Sequence, residues 1–143
     1  MHEDGALASS AGLAADDRDR SHYGPQKAAC ERVVEAAFGA RALIVRPGLI
    51  VGPGDPTGRF SHWPWRALAG GEMLVPDVAH DEPIQWIDVR DLADWTVRAL
   101  EDDARGVYNA TGPQHGAPTG WPALLETCIE AARRRGAPPA QIV

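Results

Sequence analysis

The sequence predicts an α/β fold of which this chain carries a part. Three observations point there. A helical apolar pattern from Pro25 to Phe38 leads into the unbroken apolar run Ala42-Leu43-Ile44-Val45. Short strand-like and helical stretches then alternate to the end of the chain. Finally, a run such as 42–45 suits a strand covered on both faces, as in a parallel sheet, and such a strand needs neighbours joined by crossovers. No parallel partner for it is evident elsewhere in the chain, so the sequence reads as a piece of a larger sheet.

The elements follow in order. Residues 1–22 show little periodicity; Ser9, Ser10, Gly12 and the charged run Asp16-Asp17-Arg18-Asp19-Arg20 read as an acidic, solvated arm, with the folded part spanning 23–143. In the first helix Ala28, Ala29, Val33, Ala36 and Ala37 gather on one side and Glu31, Arg32 and Glu35 on the other. Pro25 fits the first turn, where its missing N–H costs nothing, and Gly39 is the stop. After the strand at 42–45, the Pro- and Gly-rich stretch Arg46 to Gly58 reads as a long loop. Phe60 to Leu68 reads as a short helix interrupted by Pro64, and Met73-Leu74-Val75 and Ile84-Gln85-Trp86-Ile87 as short strands. Asp88 opens a helix to about Leu100, its carboxylate accepting from first-turn N–H groups while Asp91 adds a favourable charge. Gly106 to Asn109 is a further strand. Thr119 caps a last helix whose apolar face holds Leu124, Leu125, Cys128, Ile129 and Ala132, and which ends at Arg133-Arg134-Arg135-Gly136.

Composition narrows the function. With 143 residues the chain can build one core, and its net charge of −6 argues against a nucleic-acid partner, which calls for a basic face. The longest apolar run, Ala42–Val45, is far short of the roughly 18 residues of a membrane span. The acidic start Met1-His2-Glu3-Asp4 is unlike a signal peptide, so a cytoplasmic protein is expected. Cys30 and Cys128 stand apart with no CxxC, which suggests reduced thiols. His2, His80 and His115 are scattered and form no metal set.

The sharpest chemical feature is Tyr23-Gly24-Pro25-Gln26-Lys27, in which Lys27 is the only lysine of the chain. Four apart on a helix, the two side chains share a face. A phenol titrates near pH 10 and is a poor base at neutral pH; an ammonium within roughly 4–6 Å favours its ionised form. Such a phenol can exchange a proton with a substrate hydroxyl or carbonyl. The competing reading is a surface tyrosine beside a solvated lysine. His22 points about 100° away from Tyr23 on a helix and reads as a rim residue.

The stretch Tyr23-Gly-Pro-Gln-Lys27-Ala-Ala-Cys-Glu31, followed by Ala42-Leu-Ile-Val-Arg46-Pro47-Gly48-Leu49-Ile50-Val51-Gly52-Pro53-Gly54, resembles the extended short-chain dehydrogenases/reductases, and among them the NAD-dependent epimerase/dehydratase family. Gln85 to Ala93 and Gly106 to Ala110 resemble later segments of that family, so the likeness runs roughly from Tyr23 to Ala132. It implies the C-terminal part of an NAD(P)-binding Rossmann-like sheet with a small substrate-binding α/β lobe. By the same likeness Tyr23 is the catalytic acid/base, and Lys27 binds the nicotinamide ribose and tunes Tyr23. Pro47, Gly48, Leu49 and Ile50 line the nicotinamide side of an NAD or NADP pocket, mainly through backbone. Arg59, Phe60, His62, Trp63, Trp65, Gln85 and Trp86 face a small hydroxylated or carbonyl substrate, with a nucleotide sugar as one class. Packing of the aromatics into a core is the competing reading. No metal is implied.

The departures from the family shape the expectation equally. The glycine turn that lets backbone approach a dinucleotide pyrophosphate is not found. Gly52-Pro53-Gly54-Asp55-Pro56-Thr57-Gly58 has the wrong spacing, and its prolines remove N–H groups that phosphates need, so it reads as a substrate loop. The family holds its reacting oxygen with a Ser or Thr upstream of the tyrosine. Ser9 and Ser10 stand in range, but Glu3 to Ala8 looks more like the loop that follows that serine, so the partner is expected to lie outside this sequence. Ala140 to Val143 resembles the start of a strand. The expectation is an oxidoreductase or epimerase carrying half an active site, inactive as this chain alone. It would associate with a copy of itself or with an N-terminal half, and act on a small molecule rather than nucleic acid or membrane. A non-catalytic binding module or a fragment without function are the rival readings.

Overall fold

A computed structural model of the chain describes residues 3–14, 16–77, 84–112 and 120–143. The chain divides into two compact units, one made of residues 1–46 and 95–110, the other of residues 47–94 and 111–143.

The first unit is built around helix α1, Tyr23–Phe38, and strands β1, Leu43–Pro47, and β5, Gly106–Ala110. The helix starts two residues earlier than the apolar pattern suggests, because the 3-10 turn Arg20–His22 feeds straight into it. Pro25 thereby becomes its third residue, still within the first turn, where a proline ring meets no helical carbonyl four residues back. Gly39 ends it at φ 54°, its N–H returning to the Glu35 carbonyl. The expected apolar stripe is only partly used. Ala28 is buried, yet Val33 is 69% exposed, and Ala36 and Ala37 face solvent. Strand β1 pairs with β5, and Gly106 N–H donates to the Ala42 carbonyl at 2.8 Å. The strand read as doubly covered therefore has one neighbour among the described residues; Ala42 and Ile44 are buried and the flanking residues half-buried.

The acidic arm is exposed but not loose. Arg46 donates to the Glu3 carbonyl at 2.8 Å, Asn109 N–H to the Glu3 carboxylate at 3.2 Å, and Arg32 to the Ser10 hydroxyl.

The second unit holds strand β2, Leu49–Val51, helix α2, His62–Ala69, strands β3, Gly71–Met73, and β4, Trp86–Asp88, helix α4, Trp121–Arg134, and strand β6, Ala140–Ile142. Helix α3, Val89–Glu101, begins in this unit. Strand β2 corrects the reading of 46–58 as uninterrupted loop. Leu49-Ile50-Val51 pairs in parallel with β4, in the register Leu49 to Trp86 and Val51 to Asp88. Strand β3 lies two residues before the expected Met73–Val75. Met73 is fully buried as its last residue, whereas Leu74 is 81% exposed. Strand β6 pairs in parallel with β3, Met73 opposite Ile142.

The core of this unit is the packing of α2 on α4. Ala67, Met73, Leu124, Leu125, Cys128 and Ala132 form it, with Trp63 and Trp121 edge to face at 5.0 Å on its margin. The α4 face is the one its spacing predicts. Its N-cap is Gly120, and the expected cap Thr119 lies outside the described residues. Pro64 is tolerated in α2 because it is the third residue, within the first turn, where the proline ring has no helical carbonyl four residues back to clash with. Gly70 closes α2 at φ 72°, with Gly71 N–H donating to the Pro139 carbonyl at 2.8 Å. A Cβ on Gly70 would meet that of Pro138 at 2.7 Å, so the turn admits no side chain.

Among the described residues no helix is long and apolar enough to cross a membrane. Cys30 is exposed and Cys128 buried, and neither forms a disulfide.

Candidate active site

Tyr23 and Lys27 occupy the first and second turns of α1, four residues apart and both exposed, Tyr23 by 67%. The ridge they define continues to Glu31. There the Arg46 guanidinium binds both carboxylate oxygens, at 2.9 Å through Nε and 2.7 Å through Nη2. These bonds, with the nearby charges of Arg46 and Lys27, hold the Glu31 carboxyl below its ordinary range. The helix that carries the tyrosine and lysine is thus pinned to β1 at its next turn. The sequence places Glu31 on the polar side of the helix, and its pairing with Arg46, 15 residues further along the chain, emerges only from the fold.

Ser9 and Ser10 are both engaged locally. Ser9 accepts from Ala11 N–H at 3.3 Å, and Ser10 from Arg32.

In the second unit the structure brings Pro47–Ile50 alongside Gln85 and Trp86. Pro47 has no N–H, and Leu49 N–H is spent on the Gln85 carbonyl at 3.0 Å. Gly48 packs so closely that a Cβ would lie 3.1 Å from the Gln85 carbonyl oxygen and 3.2 Å from the Thr111 methyl. Phe60 packs against Trp86 with the rings tilted by 41° and their centres 5.2 Å apart. The indole Nε1 of Trp86 is buried with no hydrogen-bond partner among the described residues. His62 meets the Trp63 ring edge to face at 4.9 Å, while Trp63 itself turns to Trp121 beside the core. Arg59 is not joined to these rings; its Nε donates to the Thr57 hydroxyl at 3.1 Å. Trp65 is 71% exposed.

The loop 52–59 is closed on itself. Asp55 accepts from both the hydroxyl and the N–H of Thr57, at 2.6 and 2.8 Å, which lowers its carboxyl pKa, and Asp55 N–H returns to the Gly52 carbonyl. With these N–H groups used and a carboxylate in the turn, the loop offers no cradle for phosphate. Gly52 in turn rests against the Asp88 carboxylate, 3.1 Å from where its Cβ would be. Asp88 caps α3 as expected, accepting from Arg90 N–H at 2.8 Å, and also binds the Arg90 guanidinium. These contacts, the side chain first, bring its pKa to about 2.

Among the described residues no cluster of three metal-ligating side chains occurs; His2, His80 and His115 lie outside them.

Short strand pairs, β2–β4 and β3–β6 of them parallel, with four helices make this an α/β chain with a partial Rossmann-like fold. The chain belongs to the NAD dependent epimerase/dehydratase family, whose model matches residues 5–111, about three quarters of its length. That match begins within the acidic arm, earlier than the likeness from Tyr23 onward suggested, and stops before α4. No curated protein and no solved structure gives a significant match.

Proposed function

We propose that this chain contributes the proton-transferring half of an NAD(P)-dependent oxidoreductase or epimerase acting on a small hydroxylated or carbonyl compound, a nucleotide sugar being one candidate class. As the phenolate, Tyr23 Oη takes a proton from a substrate hydroxyl in one direction, and as the phenol it returns that proton to a carbonyl oxygen in the other. Lys27 places a positive charge beside the phenol and donates to the hydroxyls of the nicotinamide ribose. Bound there, the nicotinamide would supply or accept the hydride. Tyr23 and Lys27 are both exposed and lie four residues apart on α1, which supports the reading that the ribose end of the cofactor is received there. The pyrophosphate end has no counterpart among the described residues: the one glycine-rich loop is closed by Asp55 and Thr57. Turnover is therefore proposed to need a further polypeptide, either an N-terminal half or a second copy of this chain, in the cytoplasm. Pro47 to Ile50 stay proposed as a backbone wall for the nicotinamide, and Arg59, Phe60, His62, Trp63, Gln85 and Trp86 as substrate contacts.

The observation that carries this reading is the exposed Tyr23–Lys27 pair on a helix anchored through Glu31 to Arg46. Its test is a titration of NADH and NADPH into the purified chain, followed by quenching of its five tryptophans. A saturable quench that Lys27→Met weakens supports the ribose role. The closed 52–59 loop favours a second reading, a module that binds without turnover; a chain with no saturable response to either nucleotide supports that one.

A further inference from the structure

Two neighbouring ridges run along α1. One is Tyr23, Lys27 and Glu31. The other, about 100° round the helix, is Gln26 and Cys30, with His22 just ahead of it as the N-cap. The second ridge grips the segment that the sequence presents as a solvated charge run. Gln26 Nε2 donates to the carbonyls of Asp17 and Asp19 at 3.1 and 3.0 Å and to Asp17 Oδ1 at 3.2 Å. His22 Nδ1 lies 2.9 Å from Asp17 Oδ2. Asp17 Oδ1 also accepts from Asp19 N–H at 2.8 Å, so both oxygens of a side chain only 15% exposed are engaged. Asp19 Oδ1 accepts from Ser21 N–H at 2.9 Å and so caps the 3-10 turn that runs into α1.

The first turn of α1 needs this support. It contains Gly24, a poor helix former, has no acidic residue to favour its N-terminus, and its N-cap His22 makes no side-chain capping bond. Unsupported helix ends fray at little cost. Tyr23 sits in that turn.

We propose that Gln26, His22 and Asp17 form a positioning clasp that holds the first turn of α1 and so sets the direction in which the Tyr23 side chain leaves the helix. The bonds of His22 and Gln26 fall on either side of Tyr23 in the chain, so together they set the rotation of the first turn about the helix axis. The functional value of the clasp rests on the reading of Tyr23 as acid/base given above. Gln26 itself is a positioning residue: it faces the strap, not the ridge that carries the phenol.

The test uses the full chain labelled with fluorotyrosine. It holds two tyrosines, Tyr23 and Tyr108, and Tyr108→Phe assigns the two fluorine resonances. Gln26→Glu keeps the length and helix preference of the side chain but turns an acceptor toward two carbonyls and a carboxylate. The clasp predicts that the Tyr23 line narrows and moves to the position of the free amino acid. The Tyr108 line and the far-ultraviolet circular dichroism stay as they were, and the NADH midpoint rises about threefold. An unchanged Tyr23 line overturns the proposal. If Gln26→Glu moves both lines together, Asp17→Asn, of nearly identical shape, is measured in its place; both lines moving again overturns the proposal, because the strap then holds the fold and not the phenol. NADH that shifts neither line in the wild type counts against the acid/base reading alone, while the effect of Gln26→Glu on the Tyr23 line still decides the clasp.

Discussion

Arg46, near the end of β1, and Glu31, two turns along the helix from Tyr23, form a two-pronged ion pair at 2.7 and 2.9 Å, with side chains only 21% and 16% exposed. Removing the arginine leaves a half-buried carboxylate without its partner. Arg46→Leu should therefore cost about 1–2 kcal/mol at pH 7 by urea denaturation. Glu31 is held below its ordinary range in the folded state, so its contribution is present above the unfolded value near 4.3 and lost as pH falls through the folded one. The stability gap between wild type and Glu31→Gln should be flat from pH 7 to about 5 and close below that.

Asp88 gives a second pH signature. Its folded pKa of about 2 lies below the unfolded value near 3.9, so its stabilisation is complete above the latter and is lost as pH falls toward the former. Thermal melts of wild type and Asp88→Asn should differ by a constant amount above about pH 5 and converge between about 4 and 2. A gap that widens on acidification would show that the Arg90 contacts do not hold the carboxylate in solution.

Leu125 is 2% exposed in the α2–α4 core, whereas Leu74 is 81% exposed. Leu125→Ala should lose about 2–4 kcal/mol through lost burial and a cavity, and Leu74→Ala less than about 0.5. Far-ultraviolet circular dichroism in urea checks both.

Gly70 and Gly136 share a left-handed backbone, at φ 72° and 75°, but only Gly70 has a neighbour inside the volume of a Cβ. Gly136→Ala should cost about 1 kcal/mol for conformation alone, and Gly70→Ala clearly more, since the Pro138 backbone must also shift. Equal losses would mean that the Gly70–Pro138 approach is not made.

Much of this arrangement was legible in the sequence, for reasons that can be named. Helix α4 showed its face because Leu124, Leu125, Cys128 and Ala132 repeat at helical spacing, and α3 its start because Asp88 is a capping carboxylate. Strand β2 was hidden, since three apolar residues between Gly48 and Gly52 look like loop until β4 supplies the register. Strand β3 was misplaced because Leu74 and Val75 are apolar enough to suggest a strand, yet Leu74 is left in solvent. In the candidate site the Tyr23–Lys27 spacing was readable, being local. The Asp17 strap was not. A run of alternating charges reads as a solvated face, and only the folded helix shows that Gln26 and His22 point back at it. Likewise nothing in the spacing of Phe60 and Trp86 announces that their rings meet.

The central claim is that the Lys27 ammonium and Tyr23 phenol receive the ribose of a nicotinamide dinucleotide. Calorimetric titration of NADH into wild type, Lys27→Met and Arg41→Met tests it most directly, Arg41 being an exposed cation beyond the end of the same helix. The account predicts saturable binding that Arg41→Met leaves intact and Lys27→Met weakens by about tenfold, as the loss of a charged hydrogen bond would. Binding that is the same in all three proteins would contradict it.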